Sequence, residues 1–113
     1  MKSCGLSRLL IFWIALMACG WAQDAASRQR EYTAVFNLGL KQLTDGDYPA
    51  SIASFTRCIE LFPENATAYY NIACAYSLQG KIEEANRFLE QALQHNFENL
   101  DHIQADRDLD NIR

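Results

Sequence analysis

The chain has 113 residues, room for one small domain, and half of its residues are hydrophobic with only 5 Gly and 2 Pro, which argues against disorder. The net charge is −4. Removing residues 1–22 would take away Lys2 and Arg8 but no acid, leaving 8 basic against 14 acidic residues, a net charge of −6. This balance, with no stripe of Lys and Arg, argues against a nucleic-acid partner.

Residues 1–22 have the three-part pattern of a signal peptide. Lys2 and Arg8 supply positive charge, residues 9–17 are apolar, and small residues follow up to Ala22. The apolar stretch is too short to span a bilayer comfortably, and polar residues come directly after it. We therefore expect an exported protein, periplasmic or secreted, without an integral membrane span after processing.

Two processing routes fit this segment. Small residues in Gly20-Trp21-Ala22 would suit cleavage before Gln23 and release a soluble protein. Leu16-Met17-Ala18-Cys19 resembles a bacterial lipobox, in which Cys19 would carry a lipid anchor. Because Met17 is uncommon in that motif, soluble release is the favoured prediction and a membrane-tethered lipoprotein is the alternative.

After a polar extension at residues 23–31, the sequence repeats itself with a period of 34 residues, over 32–65 and 66–99. Apolar positions coincide at this offset, as when Phe55 meets Leu89. Six residues are identical at the same offset: Thr33 and Thr67, Ala34 and Ala68, Asn37 and Asn71, Gly46 and Gly80, and Glu64-Asn65 and Glu98-Asn99. Such self-similarity is typical of a repeat architecture.

Each repeat predicts two helices separated by a short turn. Gly46 and Gly80 can adopt the left-handed conformation that ends a helix. Asp47 is a good N-cap for the second helix of the first repeat, and Pro49 falls in that helix's first turn, where a missing N–H costs little.

Small residues recur where the paired helices should cross, and they would let the two backbones approach closely. These positions are Gly39, Ser51 and Cys58 in the first repeat and Ala73, Ala85 and Ala92 in the second. Cys58 and Cys74 could form a disulfide in an oxidising compartment. The packing habit of free Cys favours two small buried side chains instead.

This constellation resembles the tetratricopeptide repeat, whose pattern combines Leu-Gly, a Gly between helices, small and aromatic core positions and a closing Pro. Gln42 departs from the pattern at a position where an aromatic residue is expected. The resemblance implies an all-α fold, with two helix-turn-helix repeats forming a short right-handed α-solenoid. The matching residues are Leu38-Gly39, Gly46, Tyr48, Ser51, Phe55, Cys58 and Pro63, then Tyr69, Ile72-Ala73, Tyr76, Gly80, Ala85, Leu89 and Ala92.

Residues 100–113 do not continue the repeat. Apolar residues, among them Ile103, Leu109 and Ile112, alternate there with acids, as in the closing segment that often follows the last repeat of this family. We expect a short helix that caps the exposed face of the final helix pair.

No residue pattern indicates catalysis, a metal site or a cofactor. No Ser or Cys lies in a recognisable nucleophile motif. His95 and His102 have no third ligand in register, and the Asp106, Asp108 and Asp110 series lacks the Gly and the terminal Glu of a calcium loop. We therefore expect a protein that is not an enzyme.

The resemblance implies a concave face, formed by the first helix of each repeat, on which a protein or peptide would bind. In this sequence the face is apolar and aromatic. The matching positions are Thr33, Phe36, Leu40, Leu43 and Thr44 in the first repeat and Thr67, Tyr70, Cys74, Ser77 and Leu78 in the second.

Three functions are compatible with these features. The first is a non-catalytic adaptor or scaffold in the cell envelope or outside the cell. The second is a self-associating repeat protein such as a homodimer, since two repeats are fewer than the three usually needed for independent stability. The third is an accessory subunit of a larger envelope enzyme such as a peptidase.

Overall fold

The computed structural model describes residues 4–95 and 107–112. Four α-helices follow one another along the chain: α1 at Cys4–Thr44, α2 at Tyr48–Leu61, α3 at Ala66–Leu78 and α4 at Ile82–Gln94. A short 3₁₀ helix covers Arg107–Ile112. No strand occurs in the described ranges, and the predicted all-α fold of two helix pairs is confirmed.

The chain divides into two compact units, residues 1–31 and residues 32–113. In the first unit the predicted polar extension, residues 23–31, is helical and belongs to α1. Trp13 and Trp21 are exposed in this unit, at 63% and 77%. Within the part of the chain that is described, no helix is both long enough and apolar enough to cross a membrane.

In the second unit, local sequence sets the ends of the helices as predicted. Gly46 and Gly80 have φ angles of +81° and +73°, so each turns the chain at the end of a helix. The Asp47 side chain accepts a hydrogen bond from the Ala50 amide at the start of α2. Asn65 caps α3 in the same way, accepting from the Thr67 amide at 3.0 Å.

The two helices of each pair run antiparallel. In the first pair Tyr32 contacts Phe62 and Phe36 contacts Phe55, so residues later in α1 meet residues earlier in α2. In the second pair Tyr69 stacks on His95 and Tyr76 stacks on Phe88, which gives the same relation for α3 and α4.

The α1 and α2 helices cross at Gly39, where the predicted close approach is confirmed. A Cβ atom at this position would lie 2.9 Å from Cζ of Phe55. The buried Ser51 hydroxyl donates to the Gly39 carbonyl at 3.0 Å, which satisfies both groups away from water. The other predicted small positions, Cys58, Ala73, Ala85 and Ala92, are all 0% exposed.

Gln42 stands where the repeat pattern expects an aromatic residue, and the structure gives it a polar partner. The Ser54 hydroxyl donates to the Gln42 side-chain oxygen at 2.6 Å, in a partly buried position between α1 and α2. This hydrogen bond replaces apolar contact at that point of the helix pair.

The core lies between the two repeats and extends to the C-terminal 3₁₀ helix. One cluster joins α2 to α3 through Phe55, Cys58, Ala68 and Ile72. Leu109 is 1% exposed and packs against a second cluster on α3 and α4 that includes Tyr69, Tyr70, Cys74 and Ala92. The 3₁₀ helix therefore covers the end of the stack, while Ile103 lies outside the described residues.

Candidate partner-binding face

Five predicted binding residues, Thr33, Phe36, Leu40, Leu43 and Thr44, follow helical spacing along α1 and share one side of it. We call this surface the α1 face. Thr33 and Thr44 are exposed, and Leu40 retains 38% of its surface. Phe36 and Leu43 are half-buried. Solvent therefore reaches this part of the predicted face.

Phe36 packs against two aromatic rings at the centre of the α1 face. Its ring centroid lies 5.4 Å from that of Phe55 in an edge-on arrangement and 5.6 Å from that of Tyr32 in a stacked one. Tyr32 is fixed in turn, because the Asn65 side-chain amide donates to its hydroxyl at 2.8 Å. An aromatic ring held in this way would lose little side-chain entropy when a partner binds.

The predicted face does not continue onto α3 as an accessible surface. Tyr70, Cys74 and Ser77 are only 4%, 1% and 0% exposed. Leu109 covers Tyr70 and Cys74 within one core cluster. Thr67 remains exposed and Leu78 is half-buried. We correct the prediction accordingly: these three buried side chains contribute to packing and are not available to a partner in this structure.

The α1 face is electrically neutral, since none of its five residues is charged. The neighbouring Lys41 is bonded to Asp45, with 2.6 Å between the ammonium nitrogen and the carboxylate oxygen. The hydrogen bond and the charge of Asp45 both raise the pKa of Lys41. The face therefore favours neutral, apolar chemistry in whatever contacts it.

Cys58 and Cys74 are buried and are not joined by a disulfide, as the packing argument predicted. Burial raises the pKa of the Cys58 thiol to about 11. At neutral pH this thiol is protonated, so it lacks the thiolate character of a nucleophile. Burial, followed by the charge of Cys58, also raises the pKa of Tyr32, which its hydrogen bond with Asn65 opposes.

Sequence reasoning did not identify a cavity that lies at the start of α2. It has a volume of about 240 Å³ and is lined by Pro49, Ile52, Tyr76, Gln79 and Lys81. The sequence feature that could have pointed to this cavity is the 34-residue offset, which aligns Lys81 with the capping residue Asp47.

Comparison with known proteins agrees with this geometry. The tetratricopeptide repeat family profile matches residues 37–95. A chloroplastic protein of Arabidopsis thaliana is 31% identical to this chain over 78 residues. That match covers 66% of this chain but only 23% of the relative, so the chain spans about a quarter of the relative's length.

The family profile covers more than half of the chain, and its span includes the end of α1 and all of α2, α3 and α4. Tetratricopeptide repeats generally mediate protein–protein interaction, and the family is typically non-catalytic. The glycine turns, the antiparallel pairs and the buried small residues at each crossing are the structural counterparts of that match. The chain therefore belongs to the tetratricopeptide repeat family.

Proposed function

We propose that this chain is a non-catalytic adaptor that holds a peptide or a partner protein on the α1 face. The observation that carries the proposal is the exposure of Leu40, 38%, beside the half-buried Phe36 on one side of α1. An apolar side chain next to a fixed aromatic ring provides an anchor of the kind found at the centres of protein interfaces.

The chemistry of the face selects the kind of partner. Its centre is apolar and its ends carry Thr33 and Thr44, whose hydroxyl oxygens can take part in hydrogen bonding. The Thr44 hydroxyl already donates to the Leu40 carbonyl at 3.0 Å, so its oxygen remains available as an acceptor. An apolar helix or an extended apolar segment would fit such a surface.

Two exposed leucines on the same helix provide a matched test. Leu40 lies on the α1 face, whereas Leu38 is 49% exposed and two positions away on a different side. We expect Leu40→Lys to reduce co-purification of a partner at least tenfold and Leu38→Lys to leave it unchanged. Equal losses in both variants, or no loss in Leu40→Lys, would contradict the assignment.

Self-association is a second candidate, and the exposure of Leu38 favours it. Its counterpart one repeat later, Ile72, is 0% exposed because α2 packs against α3. Sedimentation of the chain across a hundredfold concentration range tests this candidate. A concentration-dependent dimer that Leu38→Lys dissociates would support it, and a monomer throughout would eliminate it.

We further propose that residues 1–22 direct export and that the protein acts in the periplasm or outside the cell. The support is the charge, apolar core and small residues of that segment. Intact mass of the protein isolated from its own cells tests this directly. A start at Gln23 means soluble release, a lipid on Cys19 means a membrane tether, and an uncleaved chain would contradict the proposal.

A further inference from the structure

The cavity at the start of α2 is separate in its residues from the α1 face. Its volume, about 240 Å³, is below the roughly 300–1,000 Å³ that is usual for small-molecule sites. It is large enough for one side chain of a partner. Pro49 and Ile52 give it an apolar wall, and the Tyr76 ring forms another part of the lining.

The polar groups that line the cavity include two hydrogen-bond donors. The Lys81 ammonium lies 5.9 Å from the centre of the Tyr76 ring, in a cation–π arrangement. The Gln79 side-chain amide nitrogen is buried and has no hydrogen-bond partner among the described residues. A buried donor without a partner is unfavourable, so an acceptor placed in the cavity would remove a penalty.

Two residues that line the cavity, Gln79 and Lys81, differ in charge from their counterparts in the first repeat. Gln79 and Lys81 occupy the positions that Asp45 and Asp47 hold in repeat one. Asp47 caps α2, whereas Lys81 makes no side-chain capping bond at the start of α4. Loss of such a cap destabilises a helix, so Lys81 is not explained by helix stability.

The acids nearest in sequence are engaged at helix ends. Asp47 accepts a hydrogen bond from Ala50. Glu83 and Glu84 lie in the first turn of α4, where the helix dipole stabilises negative charge. Among the described residues that line the cavity, Lys81 is a cation and none is an acid.

We propose that this cavity binds a carboxylate side chain, Glu or Asp, from a protein partner. The carboxylate would accept hydrogen bonds from the Lys81 ammonium and the Gln79 amide, and its methylene groups would pack against Ile52 and Pro49. The cavity would then supply a polar contact beside the apolar one of the α1 face. This carboxylate-binding proposal goes beyond the proposed function, and its failure would not affect the proposal for the α1 face.

Three libraries of N-acetylated heptapeptides test the proposal by NMR on the ¹⁵N-labelled full chain. The first has Glu fixed at its centre and an amidated end, the second has Gln at its centre and an amidated end, and the third has Gln at its centre and a free terminal carboxylate. We expect only the Glu library to shift the Gln79 side-chain amide signals. Shifts from the third library alone would overturn the side-chain assignment, as would equal shifts from the first two or none at all.

Variants at Lys81 give the second arm of the test. We expect Lys81→Arg to keep the response to the Glu library and Lys81→Asp to weaken it at least tenfold. Lys81→Asp restores a capping residue, so it should fold at least as well as the parent, and loss of binding cannot be attributed to unfolding. Lys41→Gln, at an exposed lysine outside the cavity, is the matched control and should bind normally. An unchanged response in Lys81→Asp would overturn the proposal.

Discussion

The two repeats have different residues at the position where their paired helices cross. In the first, Gly39 faces Phe55, and the missing Cβ makes room for the large ring. In the second, the 34-residue offset places Ala73 and Leu89 at the corresponding positions, so the residue that replaces Gly39 is larger and the one that replaces Phe55 is smaller. We therefore expect the residues at positions 39 and 55 to be complementary in size and not independently exchangeable.

A double-mutant cycle measures this complementarity. Gly39→Ala places a Cβ atom 2.9–3.1 Å from three atoms of the fully buried Phe55 ring, so we expect it to lower the free energy of unfolding by about 1–3 kcal/mol. Phe55→Leu alone should cost about 1 kcal/mol by leaving space unfilled.

The double variant imports the pair found in the second repeat. We expect its loss of free energy of unfolding, measured by urea unfolding, to be about 1 kcal/mol smaller than the sum of the two single losses. Additive losses would show that Gly39 and Phe55 are not coupled through this contact.

Cys58 predicts a pH dependence of stability. Its thiol pKa is about 11 in the folded chain against an ordinary value of 9.0, because burial disfavours the thiolate. The unfolded chain therefore releases this proton first as the pH rises. The contribution of Cys58 to the free energy of unfolding is complete below pH 9, falls between pH 9 and 11, and totals on the order of 2 kcal/mol.

Cys58→Ala is the matched control, because Ala92 occupies the corresponding position of the second repeat. Tyrosine and lysine groups also titrate in this range, so the informative quantity is the difference between the two proteins. We expect the parent to lose more stability than Cys58→Ala from pH 9 to pH 11 in urea unfolding. Parallel curves would show that the buried thiol does not contribute.

The residues that begin and end the helices were predictable from sequence. Gly46, Asp47 and Gly80 act through their own backbone conformation or a neighbouring amide, so their roles follow from residue type and position. The burial of Tyr70 and Cys74 was not predictable in this way. Leu109 covers them from more than 30 residues further along the chain, and the helical period of α3 carries no information about that contact.

At the scale of elements, the 3₁₀ helix packs against α3 and α4 on the side where a further repeat would stack. A helix pair in a stack buries one side against its neighbour, so a terminal pair needs a different cover. Leu109 contributes to this cover with a side chain that is 1% exposed. The sequence predicted a capping segment, whereas its 3₁₀ geometry over Arg107–Ile112 came from the structure.

Truncation of this side chain should therefore destabilise the whole second unit. We expect Leu109→Ala to lower the free energy of unfolding by about 2–3 kcal/mol, since it empties a packed site beside Tyr69 and Tyr70. Leu93→Ala is the matched control, because that leucine is 43% exposed, and should cost less than about 1 kcal/mol.

Alkylation adds an independent measurement of the cover. Peptide mapping by mass spectrometry should show faster modification of Cys74 in Leu109→Ala, because Leu109 packs in the same cluster. Cys58 lies in the other cluster, with Phe55 and Ile72, and should remain protected. Equal rates at both cysteines would indicate general unfolding instead of the loss of one cover.

At the scale of the molecule, the second unit is closed at one end and open at the other. Ala68, Ile72 and Ala75 on α3 are 0% exposed, whereas their counterparts on α1, Ala34, Leu38 and Lys41, are exposed. The fold and its family were predictable because the period, the turns and the small residues all indicate the same architecture. The accessible part of the binding face was not predictable, because its exposure depends on which end of the helix stack is covered.

The proposed adaptor role requires that the α1 face, and not another side of α1, contacts a partner protein. Photocrosslinking tests it most directly, with p-benzoylphenylalanine placed at Leu40 or at Leu38 in the full chain inside the cells that make it. We expect a covalent adduct with a distinct protein from position 40 and none from position 38. Identical adducts from both positions, or no adduct from position 40, would contradict the account.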